Sequence, residues 1–439
     1  MSGIFEKFPG TGTNETQNKE PEKAILVSVV LNDADLMDTD SSLDELEELL
    51  KTAGGVALGR LIQAREKPEH ATYIGTGKLA ELTVLCRNMY ADLVVFDCEL
   101  TPSQIRNVEA VLEGVRVIDR TMLILDIFAQ NATTGEGMLQ VAIANLKYSL
   151  PRLSGQGSEL SRLGGGIGTR GPGETKLEVD RRHVKRKIQR LEEELAELAK
   201  KRKTQRRSRE KNGVFHISLA GYTNAGKSSL LNLLCEDQIL AENKLFATLD
   251  PTTRRLRLPN YGEVLLTDTV GFINRLPHHL VDAFRSTLDE VVYSDLVLVV
   301  LDATDPKFMQ KTQITESILL DLYRKREVTP PPTLYLLNKT DLPESRFNVS
   351  SFPKKYEHVC ISAKTGAGKD TLLSRIEEIL SQFKKPVTFL FPHEEGGKLS
   401  FLYKNASVDE VRYETEGIYV QAICDEKTCG ALAKFIQKD

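Results

Sequence analysis

The nine residues GYTNAGKSS, Gly221 to Ser229, constrain this chain more than any other feature, because an apolar run, Val214 to Ala220, leads directly into them. Strand, glycine turn and helix in that order make a phosphate loop of the G-x-x-x-x-G-K-[ST] kind. Gly221 and Gly226 let the backbone N–H groups of Tyr222, Thr223, Asn224 and Ala225 curl around phosphate oxygens, and Lys227 reaches the β and γ phosphates. Ser228, followed by Ser229, offers a hydroxyl to Mg2+ where the helix N-terminus adds its positive end. A phosphate loop alone leaves ATP and GTP equally open.

Asn338-Lys339-Thr340-Asp341 decides the base, since it follows a second apolar strand, Thr333 to Leu337, and supplies a carboxylate where the guanine edge has two donors. Asp268-Thr269-Val270-Gly271 ends another apolar strand, Val264 to Leu266; there Asp268 can act on a metal through water, and the Gly271 N–H can face the γ-phosphate. Ser362-Ala363-Lys364, after Val359 to Ile361, completes the base side. Taken singly, NKTD reads equally as a surface turn and SAK as chance; their order, spacing and strand context exclude that for the set. Phe272 stands directly after DTVG, where many GTPases place the Gln that orients water, so slow intrinsic hydrolysis is expected. Asn224 has two readings, a K+ ligand near the phosphates or a residue that only shapes the turn. His278 and His279 read as solvated positions.

A chain of 439 residues is too long for one core, and 41% hydrophobic content can bury several. The net charge of −4 excludes an indiscriminate nucleic-acid coat, so any RNA contact must be local. Six scattered cysteines carry no metal spacing and fit a reducing compartment. MSGIFEKFPG lacks an apolar leader core and no apolar run reaches membrane length, so a cytoplasmic protein without membrane insertion, acting as a monomer, is expected.

The expected fold class is α/β: a P-loop GTPase domain at 213–384, preceded by an α/β domain at 21–135 with a long two-helix hairpin at 136–212, and followed by a small α+β domain at 385–439. Residues 1–20 read as a flexible tail. Within the first domain, strands at Ile25 to Leu31, Val56 to Leu58 and Leu93 to Phe96 alternate with helices at Leu43 to Leu50 and Leu79 to Cys86. Leu139, Ile143, Leu146 and Leu150 mark one helical face of the hairpin. Leu177, Val184, Ile188, Leu191, Leu195 and Leu198 mark the other, with Thr175 and Glu178 as a capping box. Between them, Ser154 to Thr175 holds too many glycines to pack, and Arg152, Arg162 and Arg170 suit RNA phosphates; a flexible connector is the other reading. Lys200 to Arg207 is a second basic stretch. Lys384-Lys385-Pro386 reads as an exit linker; strands at Val387 to Phe391, Val411 to Glu414 and Ile418 to Ile423 follow, with helices at Leu399 to Tyr403 and Thr428 to Ile436.

GGGIGTRGPGETKLEVDRR, Gly164 to Arg182, resembles the HflX family of ribosome-associated GTPases. So do TYIGTGKLAEL (Thr72 to Leu82), DRTMLILDIFAQ (Asp119 to Gln130), LKYSLPRL (Leu146 to Leu153), FATLDPTTRR (Phe246 to Arg255) and DTVGFINRLPHHLVDAF (Asp268 to Phe284). The resemblance implies hydrolysis of GTP to GDP, binding of the large ribosomal subunit and its rRNA, and splitting of stalled or idle ribosomes under stress. A GTP-switched assembly or RNA-modification adaptor is the alternative. It also implies that Phe246, Ala247, Thr248, Leu249 and Asp250 form the mobile switch, with Thr248 joining Ser228 on Mg2+ and Thr252 as the second choice. The first domain of this family has been suggested to bind ATP, for which Gly75-Thr76-Gly77-Lys78 is available; an ordinary turn into a helix is the other reading.

Overall fold

The computed structural model describes residues 21–31, 36–152, 176–211, 214–235, 245–246, 250–259, 261–273 and 285–437. They divide into two compact units, one ending at Leu123 and one beginning at Ile124.

In the first unit, β1 (Lys23–Val30), α1 (Leu36–Thr52), β2 (Val56–Ala64), α2 (Thr76–Met89), β3 (Leu93–Phe96), α3 (Pro102–Leu112) and β4 (Arg116–Asp119) alternate. The strands form one parallel sheet in the order β2-β1-β3-β4. Parallel neighbours need a crossover between them, and each helix supplies one. Strand β3 is buried along its whole length, as a strand covered on both faces must be. Ile25 and Val27 of β1 share a cluster with Leu82 and Cys86 of α2 and Val108 and Leu112 of α3, whereas α1 packs on β1 and β2 with Leu43, Leu46 and Leu49 fully buried.

Elements α3 and β4 lie beyond those that the apolar alternation marks. Thr101 and Gln104 start α3 with a reciprocal capping box around Pro102, a signal carried by hydrogen bonding rather than by periodicity. A further helix, α4 (Arg120–Asn131), leaves β4 directly. At that junction the Asp119 carboxylate accepts hydrogen bonds from the Leu100 N–H (3.1 Å) and the Met122 N–H (2.9 Å). Arg120 points inward to Asp97 and Glu45, each at 2.7 Å.

The second unit takes in the rest of α4 from Ile124 and continues with a helical hairpin, α5 (Gly135–Ser149) and α6 (Lys176–Lys211). Ion pairs Lys147–Glu192 (2.7 Å) and Glu136–Arg202 (2.5 Å) fix its antiparallel register, and Ile143, Leu146, Ile188 and Leu191 are buried. Thr175 of the capping box and the whole glycine-rich stretch from Ser154, including Arg162 and Arg170, lie outside the described residues, as do His278 and His279. Arg152 folds back onto Tyr148, its guanidinium 3.7 Å from the ring centre.

Next come β5 (His216–Gly221), α7 (Lys227–Cys235), β6 (Thr252–Leu258), β7 (Gly262–Asp268), α8 (Arg285–Val292), β8 (Leu296–Asp302), α9 (Phe308–Arg326), β9 (Thr333–Asn338), α10 (Ser345–Ser351), β10 (His358–Cys360) and α11 (Lys369–Ser381). Their sheet runs β10-β9-β8-β5-β7-β6, parallel except for β6 against β7. Successive side chains of a strand face opposite sides. Leu298 and Val300 accordingly join Leu230 of α7 and Ile376 of α11, while Val297 and Val299 join Leu288 of α8 and Leu319 of α9. Both faces are dry, and the C-terminal strand ends are left for binding.

The chain closes with β11 (Lys384–Phe391), α12 (Gly397–Asn405), β12 (Ser407–Glu414), β13 (Gly417–Asp425) and α13 (Glu426–Ala431), in an antiparallel sheet ordered β11-β13-β12. Two expectations change here. Lys384, Lys385 and Pro386 form the start of β11, paired with Asp425, Cys424 and Ile423, and are no linker. The last helix stops at Ala431, because Leu432 leaves helical geometry and a short 3-10 turn (Ala433–Phe435) brings Ile436 to bridge Phe389. Among the described residues, no helix is long and apolar enough to cross a membrane.

The Arg120 cluster sets a test of the first unit. Arg120 and Asp97 side chains are only 3% and 1% exposed, so Arg120→Ala strands a carboxylate away from water and should cost about 3–5 kcal/mol in denaturant unfolding. Arg87→Ala, which breaks an ion pair on the surface with Glu113, should cost about 0.5 kcal/mol or less.

Candidate functional site: a guanine-nucleotide cleft at the strand ends

Strand β5 lies centrally, and its last residue begins the phosphate loop. Gly221 has φ +143°, and a Cβ there would meet the Val300 carbonyl oxygen at 2.3 Å. Only glycine lets the chain turn this close to β8. Below the loop, the segment after β7 zips onto it: the Phe272 N–H donates to Gly221 O (3.0 Å), and the Thr223 N–H donates to Phe272 O (2.8 Å). Thr269 Oγ1 donates to Leu219 O at 2.6 Å, and Val270 is buried. Gly271 sits so near the loop that a Cβ would come within 2.9 Å of Lys227 Nζ.

Lys227 is buried, its ammonium donating to Gly221 O (3.2 Å) and Tyr222 O (2.9 Å). Burial pulls its pKa down from 10.5 to about 8, and Asp268 opposes the fall. Ser228 Oγ donates to Asp268 Oδ2 at 2.6 Å, so the hydroxyl and carboxylate chosen from sequence do converge. Thr223 Oγ1 is buried without a hydrogen-bond partner among the described residues. Asn224 is exposed with φ +60°, Ala225 is buried, and Ser229 is half-buried on the first turn of α7.

Asn338 joins the phosphate side to the base side. Its Nδ2 donates to Ala225 O (2.8 Å) and its Oδ1 accepts from the Ala363 N–H (2.9 Å). Thr340 Oγ1 donates to Ile361 O (2.8 Å), and buried Ser362 accepts the Thr365 N–H through its hydroxyl (3.1 Å). Lys339, at φ +65°, extends to Asp302 Oδ2 (2.5 Å), while Asp341 and Lys364 are exposed at the rim. Asp302 is a site-supporting residue that motif reading missed. Its signal is positional: it ends the apolar run of β8 as Asp268 ends β7.

Of the switch residues, Ala247, Thr248 and Leu249 lie outside the described residues. Phe246 and Asp250, on either side, turn toward the junction of α4 and α5: Phe246 packs edge-on against Phe128 and accepts a hydrogen bond from Asn131, and the Asp250 carboxylate is taken up by Thr133 and Thr134. Thr252 begins β6, paired with Asp268. At Gly75–Lys78 the Gly75 N–H donates to Gln63 Oε1 (2.9 Å) and Lys78 pairs with Glu81 (2.9 Å), the arrangement of a turn entering a helix. No group of three or more His, Cys, Asp or Glu side chains fit to hold a metal occurs among the described residues.

A phosphate loop at the central strand, an Asp-Thr-Val-Gly segment bonded beneath it and an Asn-Lys-Thr-Asp loop tied to its flank define a P-loop GTPase. Three sequence families match in chain order: "GTP-binding GTPase N-terminal" at residues 40–129, "GTP-binding GTPase Middle Region" at 131–209 and "50S ribosome-binding GTPase" at 216–339. The GTPase HflX of Caldanaerobacter subterraneus subsp. tengcongensis is 49% identical over 411 residues, spanning 94% of this chain and 92% of that one. That of Escherichia coli strain K12 is 40% identical over 400 residues, spanning 90% and 92%. A GTP-binding protein of Sulfolobus solfataricus, solved in complex with GDP, is 24% identical with a TM-score of 0.42, covering 82% of this chain and 99% of that one. The chain belongs to the HflX family of GTPases, and it binds GTP and hydrolyses it to GDP.

Burying the Lys227 ammonium has a consequence for stability. Its folded pKa lies below its unfolded value, so the charged form opposes folding below about pH 8, and stability recovers as pH rises from about 8 to 10.5. That gap amounts to about 3 kcal/mol at most. Lys227→Met should therefore raise the unfolding free energy at pH 7, without added nucleotide, by up to about 3 kcal/mol while abolishing hydrolysis. Its advantage over the wild type should shrink between pH 8 and 10.5; an advantage that is absent at pH 7 or independent of pH would refute the electrostatic origin.

Proposed function

We propose that this chain uses GTP to engage the large ribosomal subunit and split stalled or idle ribosomes under stress, working as a cytoplasmic monomer. The match of residues 216–339 to a 50S ribosome-binding GTPase family carries the reading. Charge placement supports it. In a chain of net charge −4, helix α6 exposes Arg181, Arg182, Lys185, Arg186 and Arg190 within ten residues, a local surface suited to the phosphates of rRNA. Ser154 to Thr175, between the two hairpin helices, is the proposed tip of that contact. The adaptor alternative shares the GTP site and differs only in its RNA partner.

Within the site, Ser228 and Thr248 would hold Mg2+, with Asp268 acting through water. The oxygen pair Ser228–Asp268 at 2.6 Å fits a hard cation that also takes phosphate and water oxygens. Bound there, the ion neutralises charge on the β and γ phosphates. Lys227 and the Gly271 N–H would face the same phosphates, and Asp341 would accept the guanine donors. The left-handed backbone of Asn224 is accounted for by the turn alone; K+ ligation is the second reading, and rates in potassium and sodium at equal ionic strength separate the two. Gly75–Lys78 is assigned no ATP, since its first amide and its lysine are already engaged.

Phe272 is 2% exposed and packed with Tyr222 and Leu288, so no amide side chain stands at that position to orient water. Basal turnover should be slow and rise at least about tenfold on addition of large subunits. Cosedimentation with those subunits under a non-hydrolysable GTP analogue should be lost when Gly164 to Gly168 is replaced by serines, with GTP affinity unchanged. Full splitting activity in that variant would rule out the loop as the contact.

Base choice supplies a second test. Asp341→Asn should weaken GTP binding about a hundredfold or more and favour xanthosine triphosphate, whose edge presents the complementary acceptor. Unchanged GTP affinity would remove Asp341 from the base site.

A further inference from the structure

Phe246 and Asp250 bracket the three residues that carry Thr248, and both are gripped by one short stretch, Phe128 to Gly137, which runs from the last turn of α4 into the first turn of α5. Asp250 Oδ2 accepts hydrogen bonds from the Thr133 N–H (2.9 Å), Thr133 Oγ1 (2.9 Å) and the Thr134 N–H (2.8 Å). Its Oδ1 accepts from Thr134 Oγ1 at 2.5 Å, and that hydroxyl in turn accepts the Gly137 N–H (3.0 Å) at the start of α5. A single carboxylate thus takes up four donors, two of them backbone amides at a helix N-terminus, where negative charge is favoured. Gly137 completes the fit, since a Cβ there would stand 2.3 Å from Asp250 Oδ1.

The other end is held differently. Asn131 Nδ2 donates to Phe246 O (2.9 Å), and the Phe246 ring meets Phe128 edge-on with centroids 4.6 Å apart. Phe246 is 3% exposed and has φ +56°, a conformation that an aromatic residue keeps only where its surroundings impose it. Asn131 and Phe128 are those surroundings.

We infer that Asp250 is a positioning residue for GTP hydrolysis: with Phe246, it anchors the ends of the switch on the Phe128–Gly137 stretch, so that the junction of α4 and α5 sets where Thr248 can reach. The inference rests on Thr248 as a metal ligand. Binding of GDP needs the phosphate loop and the base loops, whereas the anchor is built from Phe128, Asn131, Thr133, Thr134 and Gly137. Hydrolysis needs the switch in place, and misplacing one group by a fraction of an ångström to an ångström lowers a rate steeply.

Two variants approach the anchor from opposite sides. Asp250→Ala removes the carboxylate; Gly137→Ala keeps every hydrogen-bonding group, improves helix propensity in α5, and displaces the carboxylate by steric contact alone. Both should lower kcat about tenfold, with KM for GTP and the affinity for GDP within about twofold of wild type and the thermal midpoint of Gly137→Ala unchanged or higher. Hydrolysis that is unchanged or faster in both variants would overturn the inference, as would a parallel loss of GDP affinity and thermal stability. Thr248→Ala separates it from the reading it rests on. If that variant hydrolyses normally, the metal-ligand assignment fails; if it is slow while Asp250→Ala and Gly137→Ala are normal, only the anchor fails.

Discussion

One buried amide keeps the nucleotide cleft in register. The Asn338 side chain spends its donor on Ala225 of the phosphate loop and its acceptor on Ala363 of the last base loop, so loops after β5, β9 and β10 meet at a single group. Each bond contributes on the order of 1 kcal/mol net, but leaving either backbone partner buried and unmet costs more. The fit is close: a Cβ on Gly226 would lie 2.2 Å from Asn338 Nδ2. The first residue of the Asn-Lys-Thr-Asp motif is therefore structural in this arrangement, and it explains why phosphate and base recognition share one rigid frame. Lys339 extends that frame to β8 through Asp302.

Against this rigidity, the site carries groups that reduce stability. Lys227 is a buried ammonium facing carbonyl oxygens, and Phe246 is an aromatic residue with left-handed backbone. Neither arrangement would be chosen by packing alone, since each costs free energy that the two-faced sheet core must offset. They lie on opposite flanks of the reaction: Lys227 where phosphate charge would be met, Phe246 at the entrance to the switch. Local rules broken at such places mark function better than rules obeyed in the core.

How much could be read from the sequence follows from the range of each signal. Strands β7 and β9 are legible because buried parallel strands are continuous apolar runs closed here by motif residues, Asp268 and Asn338, whereas β8 carries the same apolar run but ends at Asp302, which belongs to no motif. The hairpin was legible from leucine spacing. Lys384 to Pro386 misled because charge and proline resemble a linker, yet β11 is an edge strand paired only with β13, and proline is tolerated there. The end of the last helix depends on Ile436 reaching back to Phe389, a contact that local spacing does not encode. Asp250 is the extreme case: its partners Thr133 and Thr134 lie more than a hundred residues away, and no motif joins them.

That long-range contact bears on how a nucleotide signal can leave the site. The six-stranded sheet is packed on both faces and the base loops are tied through Asn338, so moving either would disrupt close packing or a buried hydrogen bond. Segments bonded to the cleft by a few polar groups rather than by core packing are the ones that can answer to the γ-phosphate at least cost. The segment ending in Phe272 fits poorly, because its ring is locked in the core between Tyr222 and Leu288. The contacts of Asp250 fit well: they are exposed hydrogen bonds to Thr133 and Thr134, which water can replace at small cost. Because those bonds end on Thr133 and on Thr134, the N-cap of α5, the proposed anchor would carry a change at the switch to the base of the hairpin whose basic helix is the proposed RNA-facing surface.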